Sequence, residues 1–137
     1  MLTQKEIVLP EFKRGFHLIT AIIEKNLQEL PAYGLLNIFI KHTSAALAIN
    51  ENADPSVRYD FNNFMNKFVP DGDISYSHIL EGDDDMPAHI KSSFIGHSLN
   101  IPISHNRLNL GTWQGIYLCE FRNYGGVRNI VLTILGT

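Results

Sequence analysis

The sequence predicts a single α+β domain over residues 1–137, with antiparallel β-sheets packed sandwich-like and about three helices. Three observations carry this expectation. A chain of 137 residues that is 45% apolar suits one hydrophobic core and no second domain. The N-terminal half mixes two-residue with helical apolar periods, whereas the C-terminal half is a series of apolar or alternating runs broken by Asn, Gly and Pro. Finally, no 20–50-residue repeat and no Gly/Pro/Ser-rich linker marks an internal boundary.

Leu2–Leu9 and Gly15–Thr20 read as short strands around the turn-forming segment Pro10–Gly15, which predicts a hairpin. From Thr20, a candidate N-cap, Ile23, Leu27 and Leu30 repeat at helical spacing until Pro31 and Gly34 stop the pattern. Leu35–Lys41 places Leu36, Ile38 and Ile40 on one strand face, and Ala45–Ile49 is a small-residue run suited to burial on both sides. Asp54-Pro55 is an N-cap followed by proline at the first helical position, ahead of Val57, Phe61, Phe64 and Phe68. Pro70–Asp73 is turn chemistry, and a third helix is expected to start among Asp83–Pro87 and end at Gly96. Leu99–Ile103, Leu108–Leu110, Gly115–Arg122 and Val127–Leu135 then read as consecutive antiparallel strands.

Composition narrows the functional classes. Eleven Lys and Arg against fourteen Asp and Glu, with no basic block, argue against nucleic acid as a partner. No apolar run approaches the roughly 20 residues a membrane helix needs, so no membrane is expected either. The first residues lack a basic segment followed by an apolar one, and the lone Cys119 cannot form an internal disulfide. A cytoplasmic location is the resulting expectation.

Of the six histidines, three stand at the ends of predicted elements. His42 follows a strand, His78 precedes Glu81 by three residues, and His89 lies early in the third helix beside Asp83, Asp84 and Asp85. Such positions present side chains to solvent or ligand, and neighbouring carboxylates can fix an imidazole tautomer. The competing reading makes each a surface or capping residue. Glu51, in the connection from an apolar strand to the Asp54 helix, is free to orient a histidine, bind a cation or face water.

Gly111-Thr112-Trp113-Gln114-Gly115 holds the only tryptophan between glycines that allow close backbone approach. Thr112, Trp113 and Gln114 would suit a flat heteroaromatic ring, or the indole could serve a core or interface. Glu120 and Arg122 share strand parity with Ile116 and Leu118, so each must be paired, solvated or functional. Cys119 faces the other way with Tyr117 and Phe121 and reads as a packed thiol. Arg107, Arg122 and Arg128 are candidate anion contacts.

The run from His42 through Pro55, the run Glu81–Lys91 and the run Arg107–Leu118 together resemble the signatures of the YjbQ-like family, also called the secondary thiamine-phosphate synthase family. The resemblance spans nearly the whole chain. It implies a compact α+β domain, commonly a homotrimer, and a weak coupling of an aminopyrimidine diphosphate with a thiazole phosphate. It also favours His42, His78 and His89 as metal ligands or proton-transfer groups, with Glu51 and Glu81 as orienters. Arg107 and Arg122 would then hold phosphate oxygens, while Thr112, Trp113, Gln114 and Glu120 contact a small-molecule substrate. The chain departs from the family pattern at Ser44, where members often carry Thr, and at His105-Asn106, where they often carry Gly-Arg before the Arg-Leu motif.

A divalent metal, Zn²⁺ or Mg²⁺, is the expected cofactor. Three imidazoles suit zinc better than magnesium, which prefers oxygen. That preference supports an alternative, zinc-dependent hydrolysis of an unidentified small substrate. A non-catalytic trimeric module that binds a small ligand or metal is the third reading.

Overall fold

Residues 1–137 of the computed structural model run in the order β1 (Leu2–Leu9), β2 (Gly15–Leu18), α1 (Thr20–Asn26), β3 (Tyr33–Ile40), β4 (Ala45–Glu51), α2 (Pro55–Phe68), α3 (Asp85–Ile95), β5 (Ser98–Ser104), β6 (Arg107–Leu108), β7 (Gln114–Glu120) and β8 (Arg128–Gly136). They build a five-stranded sheet, β1-β8-β3-β5-β6, and a three-stranded sheet, β2-β7-β4. Every pairing is antiparallel.

The alternation on β3 works as the sequence indicates. Leu36, Ile38 and Ile40 point inward and meet Ile101 and Ile103 of β5, Ile130, Leu132 and Ile134 of β8, and Ala45, Leu47, Ile116 and Leu118 of the smaller sheet. This inter-sheet layer is the main core. The opposite face of the smaller sheet carries Phe16, Ala46, Tyr117, Cys119 and the adjoining Phe121, which pack against Met65 of α2 and Ala88 of α3. Burial on both faces explains why β4 and β7 read as continuous apolar runs and not as alternations. No helix is long and apolar enough to cross a membrane.

Several local expectations change. β1 and β2 do not form a hairpin: β1 pairs with β8 and β2 with β7, so Pro10–Arg14 carries the chain from one sheet to the other. Arg14 anchors that crossing through paired contacts with Asp71 at 2.6 and 2.9 Å. The C-terminal strands are likewise not successive neighbours, because β7 lies in the smaller sheet while β8 inserts between β1 and β3. Helix α1 stops at Asn26, and Thr20 does not cap it; its Oγ1 instead accepts the Ile116 amide at 2.8 Å. In α2, Asp54 caps the Ser56 amide at 2.9 Å as expected. The face turned inward carries Phe61 and Met65, leaving Phe64 and Phe68 exposed in an aromatic row with Phe94.

Candidate metal centre

Helix α3 creates the site through its first turns. Asp85 and His89 are four residues apart and therefore lie on one helix face. The preceding segment brings His78 and Glu81 to the same place. One ligand atom from each of His78, Glu81, Asp85 and His89 lies within 4.8 Å of the others. His78 Nε2 is 2.7 Å from Asp85 Oδ2 and 3.2 Å from Glu81 Oε2, and His89 Nε2 is 3.0 Å from the same Asp85 oxygen.

Each donor is oriented by a neighbour. Arg122 reaches Asp85 Oδ1 from Nη1 at 2.6 Å, Asp84 Oδ2 from Nε at 3.1 Å and the Glu81 carbonyl from Nη2 at 2.9 Å. The Asn123 amide adds a 2.8 Å bond to Asp84. Burial pushes both aspartates toward protonation, but these donors outweigh it at Asp84, and hydrogen bonding with Glu81 and His78 outweighs it at Asp85. Both carboxyls therefore stay below their ordinary values. The hydrogen bond from His78 to Asp85 raises the imidazole against a smaller opposing effect of burial.

His89 has the most informative geometry. Its Nδ1 lies 2.8 Å from the Thr43 carbonyl, which can only accept, so the proton of the neutral ring belongs on Nδ1. That assignment leaves the Nε2 lone pair facing a carboxylate oxygen at 3.0 Å. Two acceptors at this distance need a second proton or a cation between them.

His42 lies outside the four-residue group. Its Nε2 accepts the Asn129 amide at 2.7 Å, so that nitrogen is already used. Burial, reinforced by Arg128, holds the His42 imidazole below its ordinary value. His42 and His89 nevertheless line one cavity of about 660 Å³ with Lys41, Ser92, Ser93 and His97. A second cavity of about 380 Å³ opens beside His78. The four donors thus sit between two recesses.

The other residues singled out by sequence disperse. Arg107 lines a separate cavity of about 690 Å³ with Glu24, Tyr33 and His105, none of which borders the His89 cavity. His105 and Asn106 make the tight β5–β6 turn with φ of 52° and 63°. Asn106 offsets that backbone strain through bonds to Ala32 and Leu30 carbonyls at 3.3 and 2.9 Å. Trp113 is 65% exposed on a loop whose Thr112 and Gln114 carbonyls both accept from Asn52. The Gln114 side chain is committed to the Gly111 amide at 2.8 Å. Glu51 supplies a backbone acceptor to the Tyr117 hydroxyl, while its Oε2 is buried without a partner.

Glu120 is fully buried and gripped by Arg128 at 2.8 and 2.6 Å, a pairing that removes it from any substrate surface. Arg122 is a positioning residue for Asp84 and Asp85. Asp85 is the central donor that sequence reasoning placed only as a neighbour of His89, and the Asp-x-x-x-His spacing on a helix is the signal that could have found it.

The family description "UPF0047 protein YjbQ-like" matches residues 5–137. The UPF0047 protein YjbQ of Salmonella typhimurium is 51% identical over 138 residues, covering 99% of both chains. The protein of that name from Escherichia coli O157:H7 is 48% identical with the same coverage. Among solved structures, an uncharacterised conserved protein of the yjbq/upf0047 family from Clostridium acetobutylicum is 37% identical, with a TM-score of 0.79 over 96% of this chain and 99% of that one. A conserved hypothetical protein from Thermus thermophilus is 32% identical, with a TM-score of 0.84 over 96% and 99%. Sequence kinship and backbone agreement along the whole domain place this chain in the YjbQ-like UPF0047 family.

Proposed function

We propose that His78, Glu81, Asp85 and His89 hold a divalent metal ion, Zn²⁺ in preference to Mg²⁺, and that the protein uses it in hydrolysis of a small anionic substrate. The observation that carries this reading is the convergence of four potential ligand atoms within 4.8 Å of one another, with His89 Nδ1 against the Thr43 carbonyl and its Nε2 turned to Asp85. Two imidazoles and two carboxylates are donors zinc accepts, whereas magnesium favours an all-oxygen set. When bound, the ion supplies Lewis acidity and makes water a usable nucleophile near neutral pH.

The chain's own residues divide the remaining work. Thr43 fixes the His89 tautomer, and Arg122 orients Asp85. Glu81, with a side chain 61% exposed, stands at the solvent rim of the group. His97 in the adjoining cavity provides a hydrogen-bonding group for an anionic substrate, while Lys41 there is paired with Glu6 at 2.8 Å.

The second reading is the thiamine-phosphate coupling that the family resemblance implies. It needs cationic groups around a departing diphosphate, yet Arg122 is occupied by Asp84 and Asp85 and Arg107 lines another cavity. Hydrolysis therefore fits one chain better. A cytoplasmic homotrimer belongs to the same proposal, supported by Leu2, Leu35, Phe39 and Leu135, which stay exposed on the larger sheet.

Elemental analysis of untagged protein tests the metal. About one zinc per chain, lost in His89→Ala and Asp85→Asn, is the expected result, and trace metal unaffected by either substitution overturns the proposal. Metal-dependent hydrolysis without coupling supports the first reading. Thiamine-phosphate formation abolished by His89→Ala supports the second.

A further inference from the structure

The end of strand β3 fixes one imidazole in a defined state. Regular pairing of β3 with β8 stops at Ile40 and Ile130. The Lys41 amide still donates to the Asn129 carbonyl at 3.1 Å, but the Asn129 amide donates to a side chain, His42 Nε2, at 2.7 Å. A ring nitrogen that accepts from an amide carries no proton, so His42 is neutral with its proton on Nδ1. Burial and Arg128, against a smaller opposing effect of Glu120, favour the same neutral form.

The remaining nitrogen is free. His42 Nδ1 has no partner within the protein and is open to solvent. His42 borders the cavity of about 660 Å³ that His89 also lines. Other donors around that cavity are already spent: Lys41 on Glu6 at 2.8 Å, the Ser92 hydroxyl on the Thr43 carbonyl at 2.7 Å and the Ser93 hydroxyl on the His89 carbonyl at 3.1 Å. The Asn129 bond sets both the tautomer and the direction of the His42 ring before any ligand arrives, so a hydrogen bond made by Nδ1–H costs little further ordering.

We propose that His42 Nδ1–H donates a hydrogen bond to an anionic oxygen of the substrate in this cavity, which makes His42 a substrate-binding residue and neither a metal ligand nor a proton-transfer group. The role rests on the hydrolytic reading of the adjoining metal centre, because His89 is shared by the centre and the cavity.

Imidazole ¹H–¹⁵N NMR of the full-length protein at pH 7.5, with inorganic phosphate as the probe, provides the test. His42 should show a protonated Nδ1 and an unprotonated Nε2, and added phosphate should shift the Nδ1–H signal saturably. His42→Gln can keep an acceptor for Asn129 but lacks the Nδ1–H, and should bind phosphate about tenfold or more weakly with its zinc content unchanged. The opposite tautomer, an Nδ1–H signal that phosphate does not move, or unaltered phosphate affinity in folded His42→Gln would overturn the proposal. If that variant does not fold, the spectra of the parent chain decide it. Zinc bound with no phosphate response at His42 removes this inference alone, whereas a phosphate response in protein that binds no zinc removes the metal reading and leaves the His42 contact standing.

Discussion

His89 and Asp85 face one another with Nε2 3.0 Å from Oδ2, although the other nitrogen of the His89 ring already serves the Thr43 carbonyl. Arg122 fixes Asp85 from its far oxygen, and the proposed metal would depend on that orientation. Arg122→Leu should therefore lower zinc affinity about 10- to 100-fold while leaving all four donors present. Competition against a chromophoric chelator measures this, and an unchanged affinity would show that Arg122 does not organise the site.

His42 should make stability fall on acidification. Burial and Arg128 hold its folded value below the ordinary 6.5, and its Nε2 must remain unprotonated to accept from Asn129. The unfolded chain therefore binds the proton more readily. The contribution is fully present above pH 6.5 and is lost as pH falls through the depressed folded value. Urea unfolding at pH 7.5 and 5 should show less decline in His42→Gln than in the parent chain. A parallel decline in both would assign the effect elsewhere.

Glu120 and Arg128 should tolerate joint replacement better than either single loss. Both are nearly inaccessible, and Arg128 also contacts the Ser44 carbonyl at 3.3 Å. Arg128→Met strands a buried carboxylate and is expected to cost about 3–5 kcal/mol. Adding Glu120→Gln should recover part of that loss. Denaturant midpoints of the two variants decide it, and a double variant no more stable than Arg128→Met would contradict this expectation. Gly125→Ala belongs to the same test, since its Cβ would stand 2.5 Å from Glu120 Oε1.

Cys119 should be silent toward thiol reagents in the folded protein. It is completely buried between the sheet and the helices, and burial pushes its thiol upward, away from the reactive thiolate. A disulfide reagent should modify it only at the global unfolding rate. Rapid labelling of native protein would mean that this layer opens locally.

Much of the architecture is legible before folding because its signals are local. The Asp54-Pro55 start of α2, the Gly96 end of α3 and the alternation of Leu36, Ile38 and Ile40 each follow from backbone chemistry or burial within a few residues. Part of the cluster is legible for the same reason: His78 and His89 stand out by their position beside carboxylates, and the fold brings them together with Glu81 and Asp85. The partner of each long-range group is not legible. Strand parity puts Glu120 and Arg122 on one face, but Glu120 goes inward to Arg128 while Arg122 leaves the strand for Asp84 and Asp85.

The amino-acid order by itself determined family, class, the main periodic elements and the prominence of His78 and His89, since periodicity and neighbouring charge act over short stretches of chain. Tertiary structure alone decided that β1 and β2 join different sheets, that Asn129 claims His42, and that Asp85 stands between two imidazoles under the hand of Arg122. Those outcomes depend on which distant surfaces bury one another, and each buried polar atom then takes the partner that packing leaves within reach.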